Sequence, residues 1–328
     1  MLKVYVHKAG LRRLALGERG LVMTTTADAA ERPGAPQRGL LARHPLISFF
    51  VMAYAFSWIA WSPWVLSEDG VGLLPFELSG ATSGLLNAAA ILLGPTLSGF
   101  IMTGVTEGRE GIRRLLHRIV LWRVGLRWYL FALIGVPAVM ALGTIILPGG
   151  LSSLLGLGPG YVLTYVSTYV LVVIFGGPLF EEPGWRGFAL PRLQPLHGPL
   201  VGTLILGLLW ALWHLPEFLV PSWAESSGGS SLLAIVKFVL IAIAVAIVTT
   251  WVFNNTKGSV FIAILVHASI DTFWIPVGGL DSPSAVGNSI LLSFGVLALM
   301  LIVLTRGRLG YERYRQEVPY LATAPTQG

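Results

Sequence analysis

The sequence predicts an all-α fold, a polytopic membrane helical bundle of about eight transmembrane helices with both termini cytoplasmic. Three observations predict it. Charged residues make up 12% of the 328-residue chain, against about 25% in soluble domains, while hydrophobic residues make up 54%. Uncharged apolar runs long enough to cross about 30 Å of hydrocarbon recur along the chain. The basic residues, which give a formal charge of +6, fall in alternate loops. A basic balance distributed in this way reports orientation, so the expected partner is a lipid bilayer and no nucleic acid. Cysteine is absent, which excludes disulfides, thiolate metal sites and a cysteine nucleophile.

Residues 1–44 read as a basic, partly disordered cytoplasmic segment: a basic interfacial helix over 1–23, then a Thr/Ala/Pro/Gly linker over 24–39. No apolar h-region precedes a small-residue cleavage site. A start codon placed too far upstream is the other reading of this segment. The transmembrane domain, 45–305, has spans at roughly 46–66, 85–105, 129–149, 166–193, 199–220, 231–253, 260–277 and 287–305. Trp58, Trp61 and Trp64 fit an interfacial aromatic belt near the end of the first span. Arg109, Arg113, Arg114, Arg118, Arg123 and Arg127 mark the second loop as cytoplasmic, as Arg192 and Lys257 mark later ones. Glu68, Asp69, Glu77, Glu225 and Asp281 occupy the opposite loops, and Lys237 lies within the sixth span, from which it could snorkel. Residues 306–328 form a basic cytoplasmic tail. The expected location is a cell membrane, as a multi-pass protein of the bacterial inner membrane.

Two adjacent glutamates, Glu181 and Glu182, interrupt the fourth apolar stretch. Carboxylates inside hydrocarbon cost several kcal/mol, so partners or function must hold them. Arg186 follows Glu182 at the spacing that places opposite charges on one helix face. His214 in the fifth stretch, and His267 with Asp271 in the seventh, add ionisable groups. A fourth helix ending at Phe180 would leave Glu181 at the cytoplasmic surface and His214 near the opposite one. That separation, roughly 20 Å at 1.5 Å per residue, is too large for shared chemistry. A helix continuing to about Arg192 brings both glutamates to mid-depth, and this geometry is expected. Gly176, Gly177, Pro178 and Pro183 then predict a kink or break, tolerated in bilayers beside a protein-lined or water-filled cavity.

Singly, these residues have ordinary readings. Glu182 and Arg186 fit a neutralised structural bridge, and either histidine fits a hydrogen-bonded packing role. His267 and Asp271 fit a metal pair, a carboxylate orienting an imidazole, or an interhelical hydrogen bond. Glu217, just after Pro216, reads as interfacial, and His117 and His197 as solvated loop residues. Jointly, two carboxylates and two histidines can hold a water and remove its proton. A carboxylate in a low dielectric is a stronger base than one in water, and an imidazole opposite it can stabilise a developing oxyanion. This set suffices for peptide hydrolysis without a Ser or Cys nucleophile.

Glu181-Glu182-x-x-x-Arg186, an aromatic-x-x-x-His ending at His214, and His267-x-x-x-Asp271 resemble, in this order, the three signatures of the CAAX protease and bacteriocin-processing family. These are intramembrane endopeptidases that include type II CAAX prenyl endopeptidases, and the resemblance covers about residues 166–277. It implies catalytic roles for Glu181, Glu182, His214, His267 and Asp271, with Arg186 as charge partner. Glu181 would activate a water that His214 positions, while His267 and Asp271 would form the oxyanion site. No cofactor is required by that scheme. A divalent metal on Glu181, His214, His267 and Asp271 is the alternative, although the zinc motif His-Glu-x-x-His is absent.

The chain departs from the commonest family pattern twice. Trp210 stands where Phe is usual, a packing change, and Asp271 stands where Asn is common. Asn can donate to an oxyanion, whereas ionised Asp only accepts. The function expected is therefore an intramembrane endopeptidase acting on a membrane-associated protein or peptide by a glutamate-activated water. A non-catalytic immunity or membrane partner of the same fold is the runner-up. A proton-coupled transporter is the third reading, disfavoured because only one broken helix is evident.

Overall fold

The computed structural model describes residues 39–273 and 283–318. The expected helix over 1–23, nearly all of the linker, the end of the seventh span, Asp281 and the tail beyond 318 lie outside the described residues. Among the described residues there is no strand. The main helices are α1 Pro45–Leu66, α2 Gly80–Ile119, α3 Leu126–Ile145, α4 Tyr161–Phe175, α5 Gly177–His197, α6 Pro199–Trp213, α7 Leu232–Asn255, α8 Val260–Phe273, α9 Pro283–Thr305 and α10 Tyr311–Glu317. Among the described residues, six helical segments are long and apolar enough to cross a membrane, and α4 with α5, bent by 44° at their junction, adds a seventh if the pair is one span. The chain is thus an all-α polytopic membrane protein, with six or seven such spans among the described residues where about eight were expected. The difference lies in α8. Its described residues, Val260–Phe273, are nearly all buried against protein, so this part of α8 is a core helix and not a lipid-facing one, and the rest of the expected span lies outside the described residues.

In α1, Phe49, Ala53, Ser57 and Trp61 recur every four residues and are fully buried, which makes one helix face. Ser57 Oγ donates to the Ala90 carbonyl at 2.7 Å, and Gly94 leaves room for that contact because any side chain there would strike Ser57. Trp61 and Trp64, expected in an interfacial belt, are buried instead, and only Trp58 keeps a surface position. The reason is that the indole of Trp61 donates to Asn87 at 2.9 Å and packs on Trp213 at 4.8 Å, inside the bundle.

The side chain of Ser79 caps α2 by accepting the Thr82 N–H at 3.2 Å. Pro95 is absorbed by a π-helical turn, Leu92–Thr96. After Gly108, whose φ of 62° interrupts the helix, residues to Ile119 turn Gly111, Leu115 and Arg118 inward. Arg109, Arg113, Arg114 and Arg118, expected in a loop, therefore lie on an amphipathic helical extension. Pairs such as Arg113 with Glu110 at 2.8 Å support its polar face. Lys237 donates to Asn288 at 2.9 Å, which joins α7 to α9.

At the other end of the bundle, Gln194 of α5 and Asn254 of α7 exchange hydrogen bonds of 3.1 and 2.7 Å. Asn254 also donates to the Leu309 carbonyl at 3.0 Å. Tyr314 of α10 is fully buried, its ring 5.2 Å from that of Phe253.

Candidate active site

The local sequence of α5 explains why it lies at the centre. Gly176 is extended (φ −83°, ψ 173°) and ends α4; Pro178 then occupies the first turn of α5, where its missing N–H costs nothing. Pro183 and the π-helical turn Trp185–Ala189 disturb the backbone ladder further along. Neighbours repair it. The Thr96 hydroxyl donates to the Phe180 carbonyl, and Arg118 Nη2 donates to the Gly187 carbonyl at 2.7 Å. Small residues allow the close approach that this requires: a side chain at Gly184 would strike the Pro95 carbonyl, and one at Gly99 would come within 3.1 Å of the Gly184 Cα. Residues 181–191 are all buried, so α5 passes through protein on every side.

Three helices send side chains into one buried network. Glu182 is inaccessible, and its Oε1 accepts from Arg186 Nη1 at 2.9 Å and from His267 Nδ1 at 2.9 Å. The Glu182–Arg186 pair is a fully buried ion pair. Glu182 Oε2 and the Nε and Nη2 of Arg186 are buried with no hydrogen-bond partner among the described residues. Glu181 directs Oε2 to the indole N–H of Trp210 at 2.6 Å. Its Oε1 lies over Gly177, where a Cβ would come within 2.5 Å of it, so glycine leaves the space for this oxygen.

From α6, the His214 ring donates Nδ1–H to the Trp210 carbonyl at 2.9 Å, which leaves its lone pair on Nε2. Trp213, Phe238 and Trp223 surround the ring at 4.6, 5.2 and 6.0 Å. From α8, the Nε2 of His267 faces Asp271 Oδ1 at 3.6 Å, ion-pair range but too long for a hydrogen bond. Glu181, Glu182, Arg186, Trp210, His214, His267 and Asp271 are therefore connected, with His214 joining through Trp210.

Among the described residues no three His, Asp or Glu side chains converge in an arrangement suited to a metal ion.

Two residues of this region differ from their sequence reading. Trp210 was read as packing, yet its N–H reaches a carboxylate. Glu217 was read as interfacial, yet it is buried, on the 3-10 turn Leu215–Leu219 that continues α6 beyond His214. Its position three residues after His214, on the same helical face, was the available signal.

Residues 163–273, which hold every member of this network, match the family model of type II CAAX prenyl endopeptidases, Rce1-like. The chain is also 26% identical over 184 residues to CAAX prenyl protease 2 of Methanococcus maripaludis, an alignment covering 55% of this chain and 68% of the relative.

Proposed function

We propose, for a chain whose residues 163–273 belong to the CAAX protease family, an intramembrane endopeptidase that hydrolyses a membrane-associated protein or peptide with a water activated by Glu181. The observation that carries this reading is the convergence of α5, α6 and α8 on one buried network of carboxylates and imidazoles. Glu181 Oε1 removes one proton from the water, and His214 Nε2 accepts a hydrogen bond from the O–H that remains. The hydroxide so formed attacks the scissile carbonyl carbon, whose oxygen gains the negative charge. His267, when it carries both ring protons, donates Nε2–H to that oxygen while Glu182 retains its Nδ1–H. Glu181 then passes its proton to the leaving nitrogen as the C–N bond breaks. Arg186 neutralises Glu182, so that the second carboxylate anchors His267 instead of competing for the water's proton. We place the enzyme in the bacterial inner membrane.

The test is cleavage by purified protein in proteoliposomes of a peptide ending in Cys-aliphatic-aliphatic-X, offered with and without a farnesyl group on the cysteine. Release of the last three residues, read by mass spectrometry, is expected from the farnesylated peptide. Folded protein that cleaves neither peptide would leave the non-catalytic partner as the better reading.

Asp271→Asn separates two roles in the same assay. The 3.6 Å approach of Asp271 to His267 Nε2 favours an orienting role. Activity is therefore expected to fall about tenfold, as when an outer-shell partner of an imidazole is lost. Retained or increased activity would instead make residue 271 an oxyanion donor.

A further inference from the structure

We propose that Trp210 is a positioning residue for Glu181: its indole N–H fixes the plane of the carboxylate so that Oε1 is the oxygen offered to the water. The inference rests on the peptidase reading above and deepens it. A buried indole usually finds a partner for its N–H, but nothing general requires that partner to be an acid. The indoles of Trp185 and Trp213, nearby in the same core, bury their Nε1–H without a hydrogen-bond partner among the described residues. Only Trp210, of these three, directs its N–H to a carboxylate, at 2.6 Å, which is shorter than the usual range even for charge-assisted N–H···O bonds.

The terminal torsion of glutamate is soft, so a carboxylate without a fixed donor samples many orientations. The donor here is itself immobile. Trp210 is buried, the Arg186 guanidinium sits over its ring at 4.6 Å, and His267 meets it nearly perpendicularly at 5.1 Å. With Oε2 engaged, Oε1 is left over the space that Gly177 keeps open. The same residue's carbonyl holds His214. One residue thereby sets the spacing between the base and the imidazole that holds the water. Phenylalanine would fill the same wall but would supply no donor.

The experiment compares Trp210→Phe with replacement of Trp210 by 3-benzothienylalanine, which keeps the bicyclic shape and exchanges N–H for sulfur. The probe is the farnesylated peptide in proteoliposomes. Both replacements are expected to lower kcat at least about tenfold with KM within about twofold, since sub-ångström misplacement of a reacting group has effects of this order. Normal kcat in either protein, or a loss confined to KM, would overturn the proposal. A second arm needs no turnover: the Trp210 indole N–H resonance, assigned by its absence in Trp210→Phe, is expected to shift in Glu181→Ala. An unshifted resonance would also overturn it. Failure of the peptidase reading is distinguishable, because wild-type protein would then cleave nothing, or Glu181→Gln would still cleave, whatever the resonance does.

Discussion

Glu181→Gln is expected to reduce cleavage of the farnesylated peptide by about 10³-fold while the protein stays folded, because an amide cannot take the water's proton. The fold should survive for a specific reason. The glutamine carbonyl oxygen can still accept the Trp210 N–H that Glu181 Oε2 accepts at 2.6 Å, and the neighbouring Glu182–Arg186 pair is untouched. Size-exclusion behaviour and thermal unfolding should therefore match the wild type. Unimpaired cleavage by this variant would sink the glutamate mechanism outright.

The largest effect on stability is expected from Arg186→Ala. Arg186 is fully buried, pairs with Glu182 at 2.9 Å and lies over the Trp210 ring at 4.6 Å. Removing it strands a buried carboxylate with only His267 as partner. Breaking comparable buried pairs costs about 3–5 kcal/mol. The unfolding midpoint in detergent should fall and activity should fall with it, since His267 loses a well-defined anchor. An unchanged midpoint would mean that Glu182 is held by something other than this ion pair.

Much of this site was legible because its information is local. Glu182 and Arg186 are four residues apart on one helix, as are His267 and Asp271, and such spacing fixes a shared face whatever the tertiary arrangement. The depth argument that carried the fourth helix past Glu182 used only rise per residue and the position of His214. What was not legible depends on neighbours distant in sequence. Trp210 could be recognised as filling a wall, but the direction of its N–H is set by where α5 crosses α6. Val260–Phe273 has the composition of a lipid-facing span, and only the helices that surround it make it a core helix. The run from Arg109 to Arg118 was read as a loop because its charges dominate hydropathy, although its inward residues repeat at helical spacing.

The hydrogen bonds among Gln194, Asn254 and Leu309 have a consequence in time. Leu309 is translated about 115 residues after Gln194, a delay on the order of ten seconds at typical synthesis rates of about 5–20 residues per second. Throughout that interval α5 already carries its glutamates, but the carbonyl that completes the Asn254 clasp does not yet exist. Maturation of the site is therefore coupled to the synthesis of Leu309, and a nascent chain stalled before Leu309 would hold all of the reactive side chains without the tie that fixes the end of their helix.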